Sequence, residues 1–357
     1  MSSMRSPLDV EDVRRRVNDQ LGAFLDFQVA ALERISGDLG PLSHAAGDLL
    51  AGGKRLRPAF CYWGWRGAGG DDSEAAIRAA TSLELLQGCA LVHDDVMDGS
   101  DTRRGLPAAH RRFEALHSEQ DWRGSAPAFG VGAAILLGDL CLSWADEMLL
   151  TSGLPPDRLQ AGKAVFDEMR SELMAGQYLD LLEQARGGGS VERALTVVQY
   201  KSAKYTVERP LELGGVLADA EEPLLAAYRD YGLRLGEAFQ LRDDVLGVFG
   251  DPGITGKPAG DDLREGKRTV LVAQALAGAT PSQAHELESH LGDLELDSQG
   301  VARLREIIID TGALASVEQL ITELADAAES ALAAVSLQEP AGTVLQDLII
   351  VATARKG

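Results

Sequence analysis

Residues 73–98 read SEAAIRAATSLELLQGCALVHDDVMD, and the way this stretch ends decides how the rest of the chain is read. Ser73 is a good N-cap, no proline interrupts the residues after it, and the spacing predicts one helix running to about Asp98. The apolar run Ala90-Leu91-Val92 leads directly into Asp94, Asp95 and Asp98. Asp94 and Asp98 are four apart and share a helix face, while Asp95 lies about 100° around the axis. Acids at a helix C-terminus oppose the macrodipole, and carboxylates beside apolar residues repel one another more strongly as they lose water. A cluster of this kind calls for a cationic partner.

The same periodicity extends in both directions. Helices are predicted over Leu8 to Leu39, from the Gly40-Pro41 break to Gly52-Gly53, from Pro58, and over Pro127 to Thr151 and Pro156 to Ala185. Val191 to Leu217 and Glu221 to Phe249 come next, then roughly four or five shorter helices between Thr269 and Lys356. Gly99 to Pro107, Ser118 to Ser125 and the glycine-rich Gly250 to Gly266 read as loops. No stretch alternates with period two. Of 357 residues, 45% are apolar and 5% aromatic, enough for one large core built mainly from helix formers. The reading is an all-α fold in a single domain over 1–357.

Composition also excludes functions. The net charge of -21 leaves no basic footprint for nucleic acid. Cys61, Cys89 and Cys141 form no CxxC pair and no zinc spacing, so buried free thiols and a reducing cytoplasm are expected. The N-terminal region carries Arg14-Arg15-Arg16 and no apolar signal core. The longest apolar stretch, Ala126 to Ala145, is broken by Asp139 and several glycines, so no integral membrane segment is expected.

A second acidic pair, Asp243 and Asp244, closes the apolar segment Leu235 to Leu241. Near it stand Thr255-Gly256-Lys257-Pro258 and Gly266-Lys267-Arg268-Thr269; near the first cluster stands Arg103-Arg104-Gly105. Gly52-Gly53-Lys54-Arg55-Leu56-Arg57-Pro58 combines glycines, cations and a helix start, a setting that favours phosphate. Each element alone also reads as a solvated helix end or a basic turn. Together they point to divalent cations and a polyanionic ligand that relieve the repulsion between carboxylates, as in a Mg²⁺-dependent diphosphate enzyme.

Five ordered motifs, at 52–58, 94–98, 103–105, 240–244 (Gln-Leu-Arg-Asp-Asp) and 255–258, resemble the trans-isoprenyl diphosphate synthases, the polyprenyl synthetase family, and geranylgeranyl diphosphate synthases among them. The resemblance implies a helical bundle of the isoprenoid-synthase type around a central cavity, usually as a homodimer. It implies that Asp94 and Asp98 hold Mg²⁺ on one wall and Asp243 on the other, with Asp244 in support. Arg103, Lys201 and Lys257 would hold the allylic diphosphate, with Lys267 nearby. Lys54, Arg57, Gln87 and Arg104 would hold isopentenyl diphosphate, and Gln240 and Lys201-Ser202 would lie near the developing cation. The second acidic motif departs from the family pattern: Gly247 stands where its last acid belongs. Ser202 replaces the commoner Thr and keeps the hydroxyl.

The implied reaction is head-to-tail prenyl transfer with release of pyrophosphate. It needs no protein nucleophile, and His93 beside the acids reads as a packed residue. Helical geometry sends Cys89 and Ala90 toward the cavity below Asp94. Both are small, which suits a geranylgeranyl or longer product. A terpene cyclase would not need Lys54, Arg57 and Arg104, and a non-catalytic subunit would not need the full set of acids and cations.

Overall fold

The computed structural model describes residues 7–251 and 260–353, and among these the chain is helical apart from one tiny hairpin. The helices are α1 (Val13–Glu33), α2 (Gly40–Leu50), α3 (Leu56–Gly67), α4 (Glu74–Met97), α5 (Ala109–Glu119), α6 (Ala126–Leu150), α7 (Pro156–Arg186) and α8 (Val191–Val197). A π-helical segment, Val198–Glu208, runs on into α9 (Arg209–Leu217). After these come α10 (Glu222–Phe249), α11 (Asp261–Arg264), α12 (Val270–Gly278), α13 (Pro281–His290), α14 (Ser298–Asp310), α15 (Ala313–Ala333) and α16 (Ala341–Thr353).

Ser73 caps α4 as its sequence predicts, its hydroxyl accepting from the Ala76 N–H at 3.1 Å. Apolar residues surround α4 on every side, the mark of a helix enclosed by others. Four expectations shift. The helix expected from Leu8 starts at Val13, because Glu11 and Asp12 take left-handed backbone, and it stops at Glu33, because Ser36 caps a new turn. α2 begins at Gly40 with Pro41 in its first turn, so that pair starts a helix instead of breaking one. The loop after Asp98 contains paired strands β1 (Thr102–Arg103) and β2 (Leu106–Pro107), turned by Arg104 and Gly105 at positive φ. Residues 191–217 form one axial run, as expected, but eleven of them are π-helical.

Three apolar clusters make the interior. α4, α6 and α7 dominate the first, and α3, α10, α15 and α16 the second. The third joins α10 to α12, α14 and α15. The acid-bearing helices α4 and α10 therefore stand inside the bundle. By length and composition alone, both α4 and α6 could cross a membrane, but 72% of the most apolar window of α4 is buried in the protein, against 39% for α6. Phe129, Val131, Ile135 and Leu136 lie on the uncovered part of α6.

Candidate active site

The last turns of α4 carry the first acidic wall. The N–H of Asp98 bonds to the carbonyl of Asp94, so both residues remain in helical register to the end. Lys201, from the π-helical segment, places its Nζ 3.2 Å from Asp94 Oδ1 and 2.6 Å from Asp180 Oδ2 of α7. Asp95 points the other way and is buried. Arg103 folds back from the hairpin, donates through Nε to Asp95 Oδ1 at 2.9 Å, and lies 3.6 Å from Asp94 Oδ2. Asp98 stands exposed at the end of α4, and partial loss of water, with the charges of Asp94 and Asp180, pushes its carboxyl up to about 6.

α10 supplies the second wall. Asp244 is buried, and Gln240 Nε2 donates to its Oδ1 at 2.8 Å. Burial, reinforced by Asp262 and Asp243, pushes the Asp244 carboxyl up to about 7. Lys267 pairs with Asp262 at 2.9 Å and with Glu265 at 2.6 Å. Its ammonium acts on the carboxyls of both Asp98 and Asp244, so the two acidic motifs lie within reach of one cation. Half-buried Asp243 adjoins Asp244 on this wall.

A third group gathers beside the first wall. Arg57 Nη2 donates to Thr206 Oγ1 at 2.9 Å, and its guanidinium sits 4.1 Å from the Tyr205 ring centre. The Tyr205 hydroxyl donates to Gln87 Oε1 at 2.9 Å. Arg104 donates to the Ala51 carbonyl at 3.1 Å, in the exposed loop that carries Lys54. Gly53 takes φ +96°, a backbone conformation that favours glycine, and lies beside the Arg104 guanidinium. Arg55 is a structural residue: it is buried and bonds Glu84, Asn18 and the Leu50 carbonyl. Ser202 is half-buried next to Lys201. Lys257, with Thr255, Gly256 and Pro258, lies outside the described residues.

The donor set suits a hard divalent cation. Asp98 and Asp244 bring carboxyls from the two walls within the influence of the same Lys267 ammonium, and burial favours the protonated form of both. Among the described residues no three acid, histidine or cysteine side chains converge on one point. Mg²⁺ is usually held by one or two carboxylates, with phosphate oxygens and water completing its shell.

Sequence reasoning misses several of these residues. Asp180 lies in the apolar run Tyr178-Leu179-Asp180-Leu181-Leu182, the same signal that marks Asp94. Asp95 reads from sequence only as a neighbour off the acidic face, yet it anchors Arg103. Asp262 gives no spacing signal. Its carboxylate occupies the space a side chain at Gly247 would fill, so the acid missing from the second motif is matched in space by one from α11. Helical geometry predicts Cys89 facing the cavity. It is buried in the core instead, its Sγ 3.6 Å from His93 Nδ1, while Ala90 remains partly exposed.

A profile of the polyprenyl synthetase family matches residues 41–308. The geranylgeranyl diphosphate synthase of Saccharolobus solfataricus is 32% identical over 310 residues, 86% of this chain and 85% of that protein. The geranylgeranyl diphosphate synthase of Mycobacterium tuberculosis is 34% identical over 277 residues, 70% of this chain and 73% of that one. Among solved structures, geranylgeranyl pyrophosphate synthase from Corynebacterium glutamicum, complexed with isoprenyl diphosphate and magnesium, superposes with a TM-score of 0.92 at 41% identity. That match covers 96% of this chain and 99% of the other.

The raised carboxyls generate a test. Folded Asp244 titrates near 7, against 3.8 ordinarily, so the folded chain holds a proton that the unfolded chain has already released. Between about pH 4 and pH 7 this group's contribution to stability falls as pH rises. Asp244→Asn removes that slope. By calorimetry without metal or diphosphate, its melting temperature relative to the parent should rise by several degrees from pH 5 to pH 8; a constant difference would contradict the placement of Asp244.

Proposed function

The chain belongs to the polyprenyl synthetase family, and on that premise we propose a Mg²⁺-dependent trans-prenyltransferase that joins isopentenyl diphosphate to an allylic diphosphate, releasing pyrophosphate. The observation that carries this reading is the presence of two separate cationic groups near the acidic motifs: Lys201 and Lys267 among the carboxylates, and Arg57 and Arg104, with the amide of Gln87, to one side. Two diphosphates need two such groups. A cyclase needs one.

Asp94, Asp98 and Asp243 would hold Mg²⁺, with Asp244 supporting the second wall. Bound there, the metal supplies positive charge to the departing diphosphate. Lys201, Arg103 and Lys257 hold the allylic diphosphate so that its C–O bond can break, and Lys267 adds charge on the same side. Lys54, Arg57, Gln87 and Arg104 hold isopentenyl diphosphate with its double bond toward the allylic carbon, where the new C–C bond forms. Gln240 and Ser202 present polar atoms to the positive charge that develops. A proton then leaves the new cation, and the released pyrophosphate accepts it.

The product proposed is geranylgeranyl diphosphate or a longer chain, supported by the small Ala90 one turn before Asp94 and by relatives named for such products. The whole chain is proposed to act as one domain, which the sharing of α10 between two core clusters supports. Cytoplasmic placement is supported by three buried free thiols. A homodimer is supported by the uncovered apolar part of α6, where Leu136 is 61% exposed.

Three measurements test these proposals. With radiolabelled isopentenyl diphosphate, Mg²⁺ and allylic starters, incorporation is expected, and Asp98→Ala should lower it by about a hundredfold or more; cyclised product without incorporation would favour a cyclase. Ala90→Phe should shorten the product by mass spectrometry, and it is a cleaner probe than Cys89→Phe, which would overpack the core. Light scattering should give twice 37.9 kDa for the parent and, for Leu136→Glu, a single chain.

A further inference from the structure

The π-helical segment Val198–Glu208 is clasped from both sides. A π-helix is rare and wider than an α-helix, so its neighbours must leave room for it. They do so with glycine. A Cβ at Gly176 of α7 would lie 2.7 Å from the carbonyl carbon of Tyr200, and one at Gly236 of α10 would lie 2.7 Å from Ala203 Cα. Past the far end, Pro210 has no N–H, and its ring would clash with the carbonyl of Thr206 in regular α register. The Arg209 N–H bonds instead to Lys204 O, five residues back. The register of the segment is thus fixed by its surroundings.

Residues about one π turn apart share a face, which puts Tyr205 and Thr206 in line with Lys201. Tyr205 is 3% exposed, so it reaches a ligand only through its partners. Its ring fixes the plane of the Arg57 guanidinium, while Thr206 Oγ1 takes one Nη2 proton. Thr206 takes the one side-chain hydrogen bond that Arg57 makes among the described residues, and Arg57 is half-buried, so further Nη donors on this guanidinium stay available to an anion. The Tyr205 hydroxyl engages the Gln87 oxygen, which leaves the N–H end of that amide for a diphosphate and keeps the repelling oxygen turned away.

We infer that Tyr205 and Thr206 are positioning residues for the isopentenyl diphosphate subsite, and that the clasped π-helical segment sets the spacing between that subsite and the allylic one at Lys201. This rests on the function proposed above. One rigid segment touches both groups, Asp94 and Asp180 through Lys201, and Arg57 and Gln87 through Tyr205 and Thr206. A shift in its register would misplace both diphosphates together.

Steady-state kinetics with isopentenyl and farnesyl diphosphates, each varied in turn, on Tyr205→Phe, Thr206→Val and Thr206→Ser test this. For the first two, KM for isopentenyl diphosphate should rise about tenfold, the loss of one charge-assisted or amide-orienting hydrogen bond. Their kcat and KM for farnesyl diphosphate should stay within about twofold of the parent, and Thr206→Ser should restore the parent values. Gly176→Ala should raise both KM values, with the fold checked by circular dichroism. An unchanged KM for isopentenyl diphosphate, or an equal rise in both constants for Tyr205→Phe and Thr206→Val, would overturn the inference. A parent protein that incorporates no isopentenyl diphosphate would overturn the functional reading as well.

Discussion

Like-charged carboxylates held side by side, with part of their water stripped away, are the constraint around which this fold is arranged. Asp94, Asp98 and Asp180 approach one another on the first wall, and Asp243, Asp244 and Asp262 on the second. Left to themselves such groups take up protons or separate. Here three cations from three different parts of the chain hold them: Lys201 from the π-helical segment, Arg103 from the hairpin and Lys267 from the end of the α11 loop. The cost that remains, lost hydration first and repulsion after it, shows in the raised Asp98 and Asp244 carboxyls and would be relieved by a divalent cation with a diphosphate.

Accuracy comes from close backbone packing behind those side chains. Gly176 and Gly236 let α7 and α10 press against the widened segment, and Gly138 lets α6 press against His93 on α4. His93 therefore belongs to the packing between α4 and α6, its Nε2 3.1 Å from the Ile135 carbonyl, which agrees with reading it as a packed residue and not a base. Interiors packed this tightly shift little when one element moves, so charged groups on different helices keep their separation.

The acidic faces are readable from the chain because four-residue spacing on a helix places two acids together whatever surrounds them. Asp94 and Asp98 are a consequence of helical geometry alone, and Ser73 marks a helix start by local hydrogen bonding. The glycine–cation loop at 52–57 is legible for the same local reason, since positive φ at Gly52 and Gly53 suits glycine. The π-helical stretch is not legible: 191–217 has ordinary helical periodicity, and its middle is widened by room left by glycines far away in sequence.

Most helices, the all-α class and the two acidic motifs with their neighbouring cations can be read along the chain, because each depends on residues within a few positions of one another. Folding in three dimensions buries Arg55 against Glu84 while Arg57 rests on Tyr205, lets Asp180 share Lys201 with Asp94, and brings Asp262 into the space beside Gly247. Those pairings join helices far apart in the chain, and charge and hydrogen bonding select a partner by distance in space, which no local pattern encodes.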